Sequence, residues 1–529
     1  METKEWCQLE NRIGRLFHCL YENNIPGIME LFAQDAVLQL PDQRRTLQGW
    51  KDIEGFWYEK GAKRKTDEGM IPEIYLPCDI YLKPLEDRFY GEWDTYSFRS
   101  EVLGEVQYFL THMQCVFVRE RDKEWMIQRL RWNEILELCP WKIQMDKMEI
   151  YAAEAWEDEW KETPSVKDYM EIRNLQGHFT QEGMDRSWKD FSGEKDTVLD
   201  LPTLYDTPAL GKEAVKKRLE DLRYKEIGNG KKYIFMPVIC APVIWTHGKR
   251  GWGQWLVWGI EVKDRPEGLN GPPCEISMNL GKFIQEFVIE DGKWKFLKFR
   301  HCVKYKISSF PYDPGKGLRH RMREKDLWDN TWLPGPKAGA SCREDAFDIE
   351  MIMPQWTGRL RGGNSMDFVD HFMVNSKKEI SMLVAGSTQK RTWGYEAIRD
   401  RFGSPPEKEH KENPVFHTLA SSVIEFSKDG TMAQAAWTDV AIADFSGSFQ
   451  LPKEPTCYYM TLNKYYHRFV KDQGVWKLYD FRWEPGTYLG NFKFEAQKCR
   501  GFYKGWEHQK EKFPVLGESY EYPGYDSFF

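Results

Sequence analysis

Three stretches of this chain close on one pattern. They are Phe117-Val-Arg-Glu-Arg-Asp-Lys-Glu-Trp125 to Arg131-Trp132, Phe287-Val-Ile-Glu-Asp-Gly-Lys-Trp294 to Arg300-His301, and Phe469-Val-Lys-Asp-Gln-Gly-Val-Trp476 to Arg482-Trp483. Each reads as strand, polar turn, strand, and Asp291-Gly292 and Gln473-Gly474 tolerate the positive φ of a tight hairpin. Alternation along the second strand predicts that the Arg six positions on shares a face with its Trp. A second anchor recurs as Gly91-Glu-Trp93, Gly253-Gln-Trp255 and Ala435-Ala-Trp437, and a third as the helix openings Gly49-Trp-Lys-Asp-Ile53, Gly211-Lys-Glu-Ala-Val215 and Gly394-Tyr-Glu-Ala-Ile398. Gly49 to Gly211 is 162 residues and Gly211 to Gly394 is 183; Trp93 to Trp255 is 162 and Trp255 to Trp437 is 182. A period this long means tandem domains rather than a solenoid. The 529 residues are also enough for about three domains.

Repeat one shows the element order most plainly. Leu9, Ile13, Leu16, Phe17 and Leu20 fall at helical spacing, and a second helix is expected over 26–32, with Pro26 in its first turn. A strand at Ala36-Val-Leu-Gln-Leu40, the Gly49 helix and four strands ending at Glu134 follow. Helices gathered ahead of an antiparallel sheet predict an α+β unit. The expected boundaries are 1–150, 164–312 and 344–490, with an aromatic C-terminal tail at 491–529 that packs on another unit. Linkers are expected in the charged 145–163 and the Pro/Gly/Arg-rich 311–343.

Composition removes several function classes. A net charge of −7 argues against general nucleic-acid binding. No apolar run nears the roughly 18 residues of a membrane span, and the N-terminus lacks the basic-then-apolar pattern of a secretory signal. Eleven scattered cysteines without a Cys-x-x-Cys fit neither a disulfide framework nor a zinc ribbon. These features predict a cytoplasmic protein with reduced thiols. Aromatic residues make up 15%, enough to fill cores and to line a pocket for a flat organic molecule.

The order helix–helix–strand–helix–sheet resembles the SnoaL-like branch of the nuclear transport factor 2-like superfamily, as do Leu31-Phe32-Ala-Gln-Asp-Ala-Val37, the Gly-x-x-x-Ile helix, the Gly-x-Trp strand and the final Trp-then-Arg hairpin. The resemblance implies three tandem cone-shaped α+β domains, each a curved antiparallel sheet packed on about three helices around an open pocket. It also implies one of several activities, since the fold hosts dehydratases such as scytalone and bile acid dehydratase, ketosteroid isomerase, cyclases and non-catalytic proteins. Its catalytic members move protons near a carbonyl or hydroxyl of an apolar ring substrate, normally with no metal or organic cofactor.

Repeat three holds the leading catalytic candidates. His417 lies seven residues before Ile424, resembling the dehydratase pattern His-x-x-x-Asn-Pro-x-Ile with Ser421-Ser422 in place of Asn-Pro. Asp439 lies two residues past Trp437 on the same strand face, and a carboxylate beside an imidazole makes a general base. The alternative is that His417 satisfies a hydrogen bond in a pocket wall. Counting back alike from Ile80 and Ile244 gives Glu73 and Pro237. Repeat one offers His112 and Tyr21, whose hydroxyl could polarise a carbonyl, against the plainer reading of a surface His and a buried Tyr. Asp94 directly follows Trp93 and so is expected to face the other way, toward solvent. Repeat two, with His178, His301 and Lys282, looks structural or lid-forming.

Arg131, Arg300 and Arg482 recur even in repeat two, which favours a structural role, with substrate carboxylate or enolate binding as the alternative. Arg482, Trp437, Tyr459, Trp93 and Arg131 complete the set of expected substrate contacts. The leading expectation is a cofactor-independent lyase of dehydratase or hydratase type acting on a hydrophobic or aromatic ring compound. An isomerase or cyclase with the same site, and a non-catalytic ligand-binding or scaffold protein, are the alternatives. The expected partners are that small substrate, the chain's own other units and, as an open option, a second copy of the chain; neither nucleic acid nor a membrane is expected.

Overall fold

In a computed structural model of the full chain, the described residues lie within 3–147, 163–264, 274–312, 342–384, 392–403, 416–443 and 457–493, less a few short stretches inside them. Among the described residues each repeat has one large sheet, and two short two-stranded sheets, Lys65–Thr66 with Gly69–Met70 and Glu226–Ile227 with Lys231–Lys232, lie outside them. In repeat one the strand order is Arg45–Gln48, Phe32–Leu40, Trp125–Leu138, Glu105–Arg119, Arg88–Val102, Glu73–Pro84. Repeats two and three follow the same order, ending on the edge strands Ile234–His247 and Phe416–Phe426. The sheets are mixed rather than purely antiparallel, because the first strand of each repeat pairs in parallel with its last. This is the α+β order of elements that the resemblance implies.

Helices cover one face of each sheet. In repeat one they are Thr3–Glu22, Ile25–Met29 and Trp50–Lys63; in repeat two, Val166–Gln181 and Lys212–Tyr224; in repeat three, Cys342–Glu350, Ile352–Arg361, Ser365–Phe372 and Tyr395–Gly403. The recurring glycine ahead of the third helix has a physical cause. Gly49, Gly211 and Gly394 take φ of +78°, +80° and +86°, a conformation open to glycine at little cost.

The second anchor has a cause as well. In each repeat two residues of the edge strand bulge out opposite a single Trp: Asp79 and Ile80 opposite Trp93, Ala241 and Pro242 opposite Trp255, Ser421 and Ser422 opposite Trp437. Asp79, Ala241 and Ser421 all have φ near +55°, the left-handed turn that puts a sharp bend in the strand. The equivalence of the bulges corrects the alignment expected for His417. Its counterpart in repeat one is Tyr75, four residues before the bulge, not Glu73.

Two boundary expectations also change. Gln144–Lys147, expected at the end of unit one where the linker 145–163 begins, is a strand paired with Lys293–Tyr312 in the sheet of repeat two. The last strand runs from Val475 to Lys493, past the expected end at 490. The remainder of the aromatic tail, and 313–341 of the second expected linker, lie outside the described residues.

Repeats one and two form a single compact unit, and repeat three lies in a second. Within the first unit the helix Thr3–Glu22 packs along the bulged edge strand of repeat two. The Asn11 amide donates to the Ile244 carbonyl and accepts from the Ile244 N–H, both at 2.9 Å. His18 Nε2 lies 3.0 Å from the Ala241 carbonyl oxygen, and the Tyr169 hydroxyl donates to Glu10. Gly14 allows this approach, because a Cβ there would lie 2.3 Å from the Pro242 carbonyl oxygen. Gly14→Ala is therefore expected to destabilise the protein by about 1–3 kcal/mol through overpacking, even though Ala gains about 1 kcal/mol of helix propensity. Urea unfolding checks it, and a variant as stable as the parent would show that the strand yields without cost.

Candidate functional site

The interior of repeat three is built on alternation along three adjacent strands. Asp439 lies opposite Asn463, and Trp437 opposite Tyr465. Tyr465 lies opposite Trp483, and His467 opposite Phe481. Leu419 lies opposite Asp439, so His417, two residues earlier, projects on that same face. Phe481 packs on Trp356 of the helix Ile352–Arg361, centroids 5.1 Å apart, which makes this the helix-covered face.

On that face His417 Nδ1 is 2.8 Å from Asp439 Oδ2. The same oxygen accepts from Asn463 Nδ2 at 2.8 Å. Asp439 is 0% and His417 7% exposed. A carboxylate accepts but does not donate, so Nδ1 carries the N–H that faces Asp439, and in the neutral imidazole Nε2 then holds the lone pair. The rings of Tyr465 and Trp483 meet the imidazole edge-on at 6.1 and 6.4 Å. The equivalents of His417 and Asp439 are Tyr75 and Thr95 in repeat one and Pro237 and Val257 in repeat two. Among the three repeats, only the third carries this His–Asp pair.

Trp437 is on the same face, against His467 and Phe469. Trp93 is its counterpart in repeat one, where it meets Phe17 of the first helix at 6.3 Å. Tyr459 is a strand residue opposite Ala443, and its side chain lies outside the described residues. Arg482 projects from the other face. The bulge between the Arg468 and Phe469 pairings adds one residue to the last strand. Trp476 and Arg482 therefore fall on opposite faces, against the expectation from spacing. The same bulge separates Trp294 from Arg300. Arg131 likewise reaches Gln114 at 3.5 Å, away from the helices. Neither Arg482 nor Arg131 shares a face with the His417–Asp439 pair.

The structure does not bring Tyr21 and His112 together. Tyr21 is buried under two cations of repeat two, with Lys304 Nζ 4.7 Å and Lys282 Nζ 5.1 Å from its ring centroid. Burial raises its phenol well above the ordinary value. His112 lies opposite Asp94, on the face carrying Phe98, whose ring meets Trp258 of repeat two at 5.1 Å. Asp94 does turn away from Trp93 as expected, yet it is buried, with His112 Nδ1 at 3.0 Å from its Oδ1.

Glu92 joins this cluster, its Oε1 3.5 Å from His112 Nε2, while Tyr90 donates to its other oxygen. Burial, opposed by His112 and Tyr90 and reinforced by Asp94, raises the Glu92 carboxyl to about 7. The folded protein thus holds a proton that the unfolded chain releases near 4.5. Stability from this group is full below pH 4.5 and falls by about 3 kcal/mol as pH rises to 7. Glu92→Gln, isosteric with the protonated acid, is expected to be more stable than the parent at pH 8 but not at pH 4.5. Equal urea midpoints at both pH values would refute the shift.

The site residues missed from the sequence are Asn463, Tyr465 and His467. The signal was available, because they alternate on one strand directly across from Asp439, Trp437 and Ala435. Among the described residues no helix is long and apolar enough to cross a membrane, and no group of three or more His, Cys, Asp or Glu could hold a metal ion.

No protein-family model matches the sequence, and no curated protein matches it. Solved structures resemble about a quarter of the chain at a time. One is a nuclear transport factor 2-like protein of unknown function from Pseudomonas putida KT2440 (16% identity, 24% of this chain, 82% of that one, TM-score 0.21). A second is a putative scytalone dehydratase from Novosphingobium aromaticivorans (14% identity, 28% and 87%, TM-score 0.22). A third is a hexachlorocyclohexane dehydrochlorinase, LinA-type3, from Novosphingobium barchaimii (13% identity, 26% and 90%, TM-score 0.23).

Proposed function

We propose that repeat three is a cofactor-independent lyase of dehydratase or hydratase type, with His417 as the proton-transfer residue. The observation that carries this reading is the buried His417–Asp439 pair on the helix-covered face. Asp439 orients the imidazole and stabilises the imidazolium, and Asn463 holds Asp439 in place. Trp437, Tyr465, Phe481 and Trp483 on the same face offer ring surface to a flat apolar substrate.

The chemistry needs no redox partner. His417 Nε2 takes a proton from the carbon next to a carbonyl, and the C–H pair becomes the new C=C bond as the C–O bond to a β-hydroxyl breaks. The imidazolium returns its proton to the departing oxygen, which leaves as water. If no group leaves and the proton returns to another carbon, the same residues perform an isomerisation.

The test is solvent exchange. The full chain is incubated in D2O with cyclic ketones carrying a β-hydroxyl, and deuterium entry at the α carbon and loss of water are followed by NMR. Exchange that depends on His417 supports the reading. Exchange at the parental rate in His417→Ala, or no exchange across the series, overturns it.

A further inference from the structure

In repeat one the helix-covered face gathers three rings around one cation. Trp57 and Lys60, three positions apart, share a face of the helix Trp50–Lys63, and Glu73 and Tyr75 alternate onto one face of the edge strand. Lys60 Nζ lies 4.7 Å from the ring centroid of Trp132, 5.1 Å from that of Tyr75 and 5.9 Å from that of Trp57. The rings stand at steep angles, Tyr75 to Trp132 at 88° and Trp57 to Trp132 at 59°, so they wall the ammonium from different directions. Glu73 Oε1 adds a carboxylate 3.4 Å from Nζ. The three rings and Glu73 are all buried.

The fold does not require this set. Counted from the helix-opening glycines, the bulges and the closing hairpins, the corresponding residues are Leu219, Leu222, Phe235, Pro237 and His301 in repeat two. In repeat three they are Phe402, Pro405, Val415, His417 and Trp483. Neither set holds a lysine or a carboxylate, yet both repeats form the same sheet. Two features make the occupant of repeat one exchangeable. The Lys60 side chain is 22% exposed, so it can swing into solvent by rotating its own side-chain bonds. Arg64 Nε stands 3.8 Å from Glu73 Oε2, so the buried carboxylate keeps a cation when Lys60 leaves.

We propose that this cage is a binding site for an organic cation of the methylated-ammonium class, and that Lys60 is a tethered occupant which such a ligand replaces. Ring faces attract a cation through their quadrupole, and the attraction is strongest when the cation is desolvated. A lysine ammonium is a compact, strongly hydrated charge that gives up its water at high cost. A quaternary ammonium spreads its charge over methyl groups and is weakly hydrated, and those methyl groups cover the ring surface that the Lys60 stem covers in its absence. Glu73 supplies the counter-charge. While Lys60 fills the cage, the apparent affinity for a free ligand is lowered by the fraction of molecules in which Lys60 is out. The site is separate from the His417 chemistry of repeat three, and neither reading depends on the other.

Tetramethylammonium and choline chloride are the probes, titrated calorimetrically into the full chain against sodium chloride at equal ionic strength. Lys60→Met keeps an apolar stem and removes the competing charge, and it should bind both roughly tenfold more tightly than the parent. Adding Trp132→Leu to that variant should weaken binding roughly tenfold. The carbon isostere of choline, with a tert-butyl group for the trimethylammonium, has the shape without the charge and should bind roughly tenfold more weakly than choline. In the parent, acetylation of lysines followed by mass spectrometry reads the displacement directly. Tetramethylammonium should raise the labelling of Lys60 severalfold over sodium chloride.

A folded Lys60→Met that binds the probes no more tightly than the parent overturns the inference. Equal binding of choline and its uncharged isostere does so too, since the cage is then an apolar cavity only. Undiminished binding after Trp132→Leu places the cation elsewhere and has the same consequence. Labelling of Lys60 in the parent that stays level across the titration also overturns it, and that readout needs no variant to fold.

Discussion

Replacing His417 with alanine is expected to slow α-deuterium exchange and water loss by roughly 10²–10⁴-fold, the usual share of a positioned general base. Asp439→Asn is the sharper variant. An amide can donate to Nδ1, which would move the ring proton to Nε2 and turn the base into an acid facing the substrate. Its loss of rate should approach that of His417→Ala although the imidazole is intact. Thermal unfolding separates chemistry from folding, since removing the partner of a buried group also costs stability. A folded Asp439→Asn that exchanges as fast as the parent would show that Asp439 does not set the tautomer.

His301→Phe is expected to remove a large acid-labile contribution from the unit formed by repeats one and two. His301 is 1% exposed on the helix-covered face of repeat two, against Phe283, and burial lowers its basicity from 6.5 to about 3. As pH falls below 6.5 the unfolded chain takes up a proton that the folded protein refuses until about pH 3. Stability from this group is therefore full above pH 6.5 and lost as pH falls, by about 2 kcal/mol at pH 5 and about 5 kcal/mol near pH 3. Measured as the difference in unfolding free energy between pH 8 and pH 5, the parent should lose about 2 kcal/mol more than the variant. Taking the difference within each protein cancels the steric effect of the new ring. An unchanged pH difference would mean that His301 is already protonated in the folded state. Glu92 acts in the opposite direction over pH 4.5–7, so each variant serves as a control for the other.

Much of the site could be read before the fold was known, for a local reason. His417 and Asp439 belong to neighbouring antiparallel strands, and alternation within a hairpin assigns faces without any long-range contact. The same rule, applied to Asn463, Tyr465 and His467, would have found the rest of that wall. It did not extend to the arginines. The bulge between Trp476 and Arg482 is one extra residue with no distinctive composition, and it reverses every face beyond it. The bulge at Asp79 likewise shifted the count that had paired Glu73 with His417.

The sequence by itself determined that the chain is three copies of one unit. Each copy needs its own glycine at positive φ, its own Trp opposite a bulge and its own closing hairpin, and those are short-range demands that recur as short motifs. Only the tertiary structure decided what covers the face of the sheet away from the helices. Asp94 was expected in solvent because alternation names a direction and not an occupant. Repeat two meets that face at Trp258, and its lysines cap Tyr21, so groups that would be surface polar residues in an isolated repeat become a buried ionisable cluster and a capped phenol. Burial is a property of which surfaces meet, and surfaces meet through contacts between residues more than 150 positions apart, as Asn11 and Ile244 do.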